Sequence, residues 1–238
     1  MAMRTCIADY TENMPIPSDK IKLIVFDLDG TLIDSRKDLA NSINEMLVEF
    51  DRQPLPEEII AEYIGDGAGM LVRRALGDPA DEVLVERALE SFLAHYRVHK
   101  LDYTYVYDGV FEALDALKPE RQMAVLTNKP VHPAKIICQA LGLRPYFFQI
   151  YGGNSFSTKK PDPEGLTTLI REAGVQPEET VMVGDSDVDI LTARRAKTWA
   201  IGCKYGLSSH TVESIPSDYL ADFPRDWIAA LDAKRINS

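Results

Sequence analysis

Leu23-Ile-Val-Phe-Asp-Leu-Asp-Gly-Thr31 is the stretch that decides the fold. A short apolar run, opened by Ile21, meets acid and glycine at Asp27 to Gly30, as a strand buried on both faces of a parallel sheet does at its carboxyl end. Moving outward, the same event recurs three times. Met123-Ala-Val-Leu126 runs into Thr127-Asn128, Thr180-Val-Met-Val183 into Gly184-Asp185, and Trp199-Ala-Ile201 into Gly202. Helical stripes lie between these runs: Val110, Phe111, Leu114 and Leu117; Ile136, Ile137, Ala140 and Leu141 behind Pro133; and Leu166, Leu169, Ile170 and Ala173, stopped by Gly174. Strand alternating with helix predicts an α/β chain with a doubly wound, Rossmann-like parallel sheet covered by helices.

The alternation breaks after the first run. Residues 35–106 hold only helical periods: Leu39, Ile43, Met46, Leu47 and Phe50; then Ile59, Ile60, Tyr63 and Ile64; then Leu84, Ala88, Phe92 and Tyr96. Ser35-Arg-Lys-Asp38 reads as a capping box opening the first of them. The expected organisation is an N-terminal extension at 1–19, an α/β core from 20–34 and 107–238, and an inserted all-helical unit at 35–106. The length of 238 residues suits one core with a large insertion.

Composition narrows the function classes. With 45% hydrophobic and 26% charged residues the chain reads as a soluble globular protein. A net charge of −11 opposes any broad electrostatic grip on nucleic acid or anionic lipid. Cys6, Cys138 and Cys203 form no CxxC pair, so neither a disulfide framework nor a thiolate zinc site is expected, and a cytoplasmic location is. No apolar run reaches the ~18 residues of a membrane span.

Ligands of doubly wound sheets sit outside the carboxyl ends of the strands. There the sequence places Asp27, Asp29, Thr127, Asn128, Asp185 and Asp189, with Lys160 on a nearby loop. Clustered carboxylates repel and lose hydration unless a cation lies among them. Oxygen donors without clustered His or Cys favour Mg2+, which commonly shares its coordination sphere with a substrate phosphate. A hydroxyl, an amide and a lysine supply hydrogen-bond donors for the remaining phosphate oxygens. The inventory points to phosphoryl transfer.

At these residues the chain resembles the haloacid dehalogenase superfamily of aspartyl phosphatases. Asp27-Leu-Asp-Gly-Thr31 is similar to its first motif, Thr127-Asn128 to the second, Lys160-Pro-Asp-Pro163 to the third and Gly184-Asp-Ser-Asp-Val-Asp189 to the fourth, in that order. The insertion at 35–106 resembles the superfamily's helical cap. Within it, the bacterial phosphoglycolate phosphatase subfamily is matched by Asp27–Ser35 with Asp38-Leu-Ala40, Gly65-Asp-Gly67 followed by Arg74-Ala-Leu76, Thr127-Asn-Lys-Pro130 and Lys159-Lys-Pro-Asp-Pro163. One departure stands out: the subfamily's cap loop commonly reads GNG, and here Asp66 occupies its centre.

The resemblance implies a Mg2+-dependent phosphomonoester hydrolase acting on a small phosphorylated metabolite, with 2-phosphoglycolate expected, as a monomer or homodimer. It implies that Asp27 is the nucleophile and that Asp29 is the general acid and then base. It further implies that Asp27 and Asp185 bind Mg2+ by side chain and Asp29 by its carbonyl, with Asp189 behind them. Thr127, the Asn128 amide and Lys160 would hold the phosphoryl oxygens, and Gly65, Asp66 and Gly67 the rest of the substrate. Asp66 is expected either to face the substrate or to cap the following helix. Lys129 reads equally as a substrate-neutralising group or a surface lysine. Asp187 reads as a helix cap or a solvated residue, and His95 and His99 as solvated or partly packed rather than a metal pair.

Other readings remain on the sequence. A phosphosugar phosphatase or a β-phosphoglucomutase-like phosphotransferase would share the motifs. The acid at Asp29 argues against dehalogenation, and only Lys37 and Lys100 lie in the cap interval, which argues against a Schiff-base phosphonate hydrolase. A phospho-accepting signalling domain would combine similar residues, but without an insertion after its first strand.

Overall fold

The computed structural model describes residues 16–231. The chain enters β1 (Leu23–Phe26), turns through Asp27 to Leu32, and forms a short ribbon strand β2 (Ile33–Asp34). Four helices follow: α1 (Arg36–Glu49), α2 (Glu57–Ala61), α3 (Ala68–Ala75) and α4 (Glu82–His99). Strand β3 (Tyr105–Val106) then pairs antiparallel with β2. The rest alternates: α5 (Val110–Leu117), β4 (Gln122–Leu126), α6 (Val131–Ala140), β5 (Gln149–Tyr151), α7 (Glu164–Ala173), β6 (Thr180–Gly184), α8 (Asp187–Ala196), β7 (Trp199–Cys203), α9 (Ser209–Val212), β8 (Tyr219–Ala221) and α10 (Asp226–Leu231).

Six strands make one parallel sheet in the order β5-β4-β1-β6-β7-β8. β1 is central, and the strand order reverses at it: the chain builds outward through β4 and β5, then crosses back to start β6 on the other side. That reversal opens a crevice at the carboxyl ends of β1, β4 and β6. The apolar runs are continuous because successive residues serve opposite faces. Ile24, Phe26, Val125, Val183 and Ile201 pack in one cluster with α5, α6 and α10. Leu23, Val25, Ala124, Met182 and Ala200 pack in the other with α7 and α8.

The inserted helices have a third apolar cluster of their own, built from Ile43, Met46, Leu47, Ile60, Val72, Ala88 and Phe92 among others. The capping box at Ser35 is absent: Ser35 begins α1 without a side-chain cap, because its hydroxyl donates to Asp29 instead. Its expected partner Asp38 is buried and accepts from the main-chain N–H groups of Tyr103 and Thr104 and from the Thr104 hydroxyl. The β2–β3 ribbon at the base of the insertion, and strands β5 and β8, were also not foreseen. Of the extension expected at 1–19, residues 1–15 lie outside the described residues, while Ile16 packs into the core.

Candidate active site

Asp27 leaves the end of β1 with its N–H donating to the Val183 carbonyl of β6. Three residues on, Gly30 has φ of +87°, and a Cβ there would stand 2.1 Å from Asp185 Oδ2. Only glycine permits both the left-handed turn and that close approach. After the turn Asp29 bridges to Ile33 of β2, and Asp185 follows the end of β6. Carboxylate oxygens of Asp27, Asp185 and Asp189 lie within 4.8 Å of one another, the only such cluster of acids, His or Cys among the described residues.

Lys160, from the loop before α7, enters this cluster: its Nζ donates to Asp27 Oδ1 at 2.7 Å and to Asp189 Oδ1 at 2.5 Å. The other Asp189 oxygen accepts from the Ser186 N–H and hydroxyl, forming a capping box at the start of α8. Ser186, not Asp187, is therefore the cap of that helix. Asp185 accepts from the Ser208 N–H at 2.8 Å and, more weakly, from the Thr31 hydroxyl at 3.4 Å.

Burial pushes the Asp27 carboxyl up from 3.8 to about 6, although Lys160 pulls it down. Burial, then the charges of Asp189 and Asp27, hold Asp185 well above its ordinary value. Burial would lower Lys160, but Asp189 and Asp27 more than offset it and keep the lysine charged. With Asp29 and Lys129 included, four carboxylates face two ammonium groups, a deficit of two positive charges. Hard oxygen donors short of two charges fit a divalent cation.

Thr127 and Asn128 follow β4. Asn128 Nδ2 donates to the carbonyls of Gly65 and Lys160 at 3.0 and 3.1 Å, so it ties the insertion and the third motif to the second. Lys129 is buried, which overturns its reading as a surface lysine: Nζ donates to both oxygens of Asp29 at 2.9 Å. Ser35 Oγ donates to Asp29 Oδ1 at 2.5 Å.

A cavity between the insertion and the core is lined by Asp27, Asp29, Thr127, Asn128, Lys129, Gly65 and Gly67, with apolar side chains of α1, α3 and α4. Gly67, at φ +86°, begins α3. Asp66 neither caps that helix nor lines this cavity. Its carboxylate pairs with Arg74 at 2.5 Å, and its carbonyl accepts from Lys159 at 2.6 Å. The rings of His95 and His99 stack at 4.4 Å, with His95 bonded to Ser42 and His99 to Asp102. Ser35 and Ser208 were missed. Neither sits in a local pattern that marks it, since each acts only through the turn that carries it to a distant acid.

A doubly wound sheet with acids, a lysine and small hydrogen-bond donors gathered at its switch point defines a phosphoryl-transfer hydrolase fold. The family profile described as haloacid dehalogenase-like hydrolase matches residues 24–203, and the chain belongs to that family. It is 37% identical over 202 residues to a phosphoglycolate phosphatase of Rhodospirillum rubrum, covering 82% of this chain and 84% of that one. It is 41% identical over 191 residues to the phosphoglycolate phosphatase of Chromobacterium violaceum, covering 78% and 86%. A crystal structure described as a predicted phosphoglycolate phosphatase from Haemophilus somnus 129pt superposes with a TM-score of 0.83 at 32% identity, covering 88% of this chain and 97% of that one. The protein is thus a phosphatase of the haloacid dehalogenase class, not a signalling receiver. No helix among the described residues is long and apolar enough to cross a membrane.

Proposed function

We propose that this phosphatase hydrolyses 2-phosphoglycolate, a small phosphorylated metabolite, with Mg2+ and through a phosphorylated Asp27. The observation that carries the reading is the buried Asp27 at the end of the central strand, held by Lys160 and set beside two further carboxylates. The names of the relatives in Rhodospirillum rubrum and Chromobacterium violaceum support the substrate.

Asp27 attacks phosphorus. As the Asp27–phosphorus bond forms, the bond to the leaving oxygen breaks, and that oxygen takes its electron pair and a proton from Asp29. Asp29 then removes a proton from water, which attacks phosphorus and releases phosphate and the Asp27 carboxylate. Ser35 and Lys129 fix the Asp29 side chain for both transfers. The Thr127 hydroxyl, the main-chain N–H of Asn128 and Lys160 hold the phosphoryl oxygens. The Asn128 side-chain donors are already engaged with Gly65 and Lys160. Asp27, Asp185 and the Asp29 carbonyl would hold Mg2+, with Asp189 outside them positioning Lys160. The cation supplies charge neutralisation between nucleophile and phosphoryl group.

Residues 35–106 act as a cap over the core at 20–34 and 107–238, hinged at the β2–β3 ribbon. Their separate apolar cluster and the cross-links Asn128–Gly65 and Ser208–Ile64 support this. The free, buried thiols of Cys138 and Cys203 support a cytoplasmic setting.

Asp27→Asn tests the reading. The near-isosteric amide should keep the fold and lower kcat on 2-phosphoglycolate by about a thousandfold or more. Retention of more than a few per cent of activity, with contaminants excluded, removes Asp27 as nucleophile.

A further inference from the structure

We infer that Lys129 and Tyr96 select the leaving group: together they bind the carboxylate of a short phosphorylated acid, while the apolar cap wall excludes polyhydroxylated leaving groups. The inference rests on the hydrolase reading of Asp27 and adds the residues that choose the substrate.

Lys129 occupies the position immediately after the second motif, and its side chain is buried. An ammonium has three N–H donors. Two go to the Asp29 oxygens, and the third is turned toward Tyr96. Tyr96 comes from α4 of the cap, and Lys129 Nζ lies 4.8 Å from the centre of its ring. The Tyr96 hydroxyl is buried with no hydrogen-bond partner. Burial raises it to about 12, so it is a neutral donor at physiological pH. The Tyr96 O–H, which lacks an acceptor, and the charged Lys129 ammonium therefore line the same cavity as Asp27 and Asp29. A buried donor left unmatched costs about 1–3 kcal/mol, and a carboxylate offers acceptors to both.

The remaining wall is Leu39, Ile64, Leu71, Phe92, Leu93 and Pro133. It offers no side-chain partners for sugar hydroxyls, whose burial without hydrogen bonds is unfavourable. Such a wall favours a short acid over a polyhydroxylated leaving group.

The test compares 2-phosphoglycolate with ethyl phosphate, which has the same carbon count and no carboxylate. Wild type should favour 2-phosphoglycolate, and Tyr96→Phe should shrink the ratio of the two KM values about tenfold. Because Tyr96→Phe removes an unpartnered hydroxyl, its melting temperature should not fall, which separates recognition from folding. Lys129→Met should abolish the preference for 2-phosphoglycolate, and Lys129→Arg should retain part of it. Equal KM changes for both substrates in Tyr96→Phe, or a wild type that turns over ethyl phosphate equally well, overturns the selection by Lys129 and Tyr96 while leaving the hydrolase reading intact. Absence of turnover on either ester overturns the hydrolase reading and this inference with it.

Discussion

Lys160 Nζ lies 2.7 Å from Asp27 Oδ1, with both side chains almost wholly buried. The pair joins residues 133 positions apart, and the same ammonium holds Asp189. Among the described residues it is the one cation inside a cluster of three carboxylates.

Removing that cation should be costly. Lys160→Met leaves Asp27, Asp185 and Asp189 facing one another, so at pH 7 the metal-free protein should lose about 3–5 kcal/mol of stability. The loss should shrink at pH 5, where the carboxyls take up protons. Urea unfolding at both pH values measures this, and equal losses would show that the ion pair is not the stabilising contact.

The raised Asp27 gives a second pH dependence. Between its unfolded value of 3.8 and its folded value of about 6, the folded chain binds more protons than the unfolded one. Stability of the metal-free protein should therefore fall as pH rises through that window and level off above it. That rise in the Asp27 value corresponds to on the order of 3 kcal/mol. Mg2+ binds the ionised form, so it should raise the melting temperature more at pH 7.5 than at 4.5. The same Mg2+ effect at both values would place the cation away from Asp27.

Asp66 is expected to be nearly silent. Its carboxylate pairs with Arg74, both about a third exposed, and such pairs contribute about 0–1 kcal/mol. Asp66→Asn should leave KM for both 2-phosphoglycolate and p-nitrophenyl phosphate within about twofold, which is within that range of energies. A fall in KM confined to 2-phosphoglycolate would show that the carboxylate reaches the substrate.

Asp38 should matter to stability rather than chemistry. It gathers the Tyr103 and Thr104 N–H groups and the Thr104 hydroxyl, with oxygen distances from 2.6 to 3.2 Å. Asp38→Ala strands those donors and should cost about 3 kcal/mol. A chemical-denaturation midpoint unchanged from wild type would contradict this account.

The sequence by itself determined the central strands and the acids at their ends. β1, β4, β6 and β7 are buried on both faces, so each needs an uninterrupted apolar run, and a run that stops at Asp27, Thr127 or Asp185 marks its own carboxyl end. Edge strands lack that signal. β5 buries only Ile150 and β8 only Ala221, too little for any period to show. Tertiary structure alone decided the partners of the polar residues. Ser35 reads as a helix cap, and Lys129 equally as a substrate-neutralising group or a surface lysine, because local spacing describes only neighbours along the chain. The turn at Gly30 brings Ser35, and the pairing of β4 with β1 brings Lys129, onto Asp29 from 6 and 100 residues away. Hydrogen bonds formed across such distances are set by where the backbone places a donor, and that depends on the packing of the whole sheet against the helices above it.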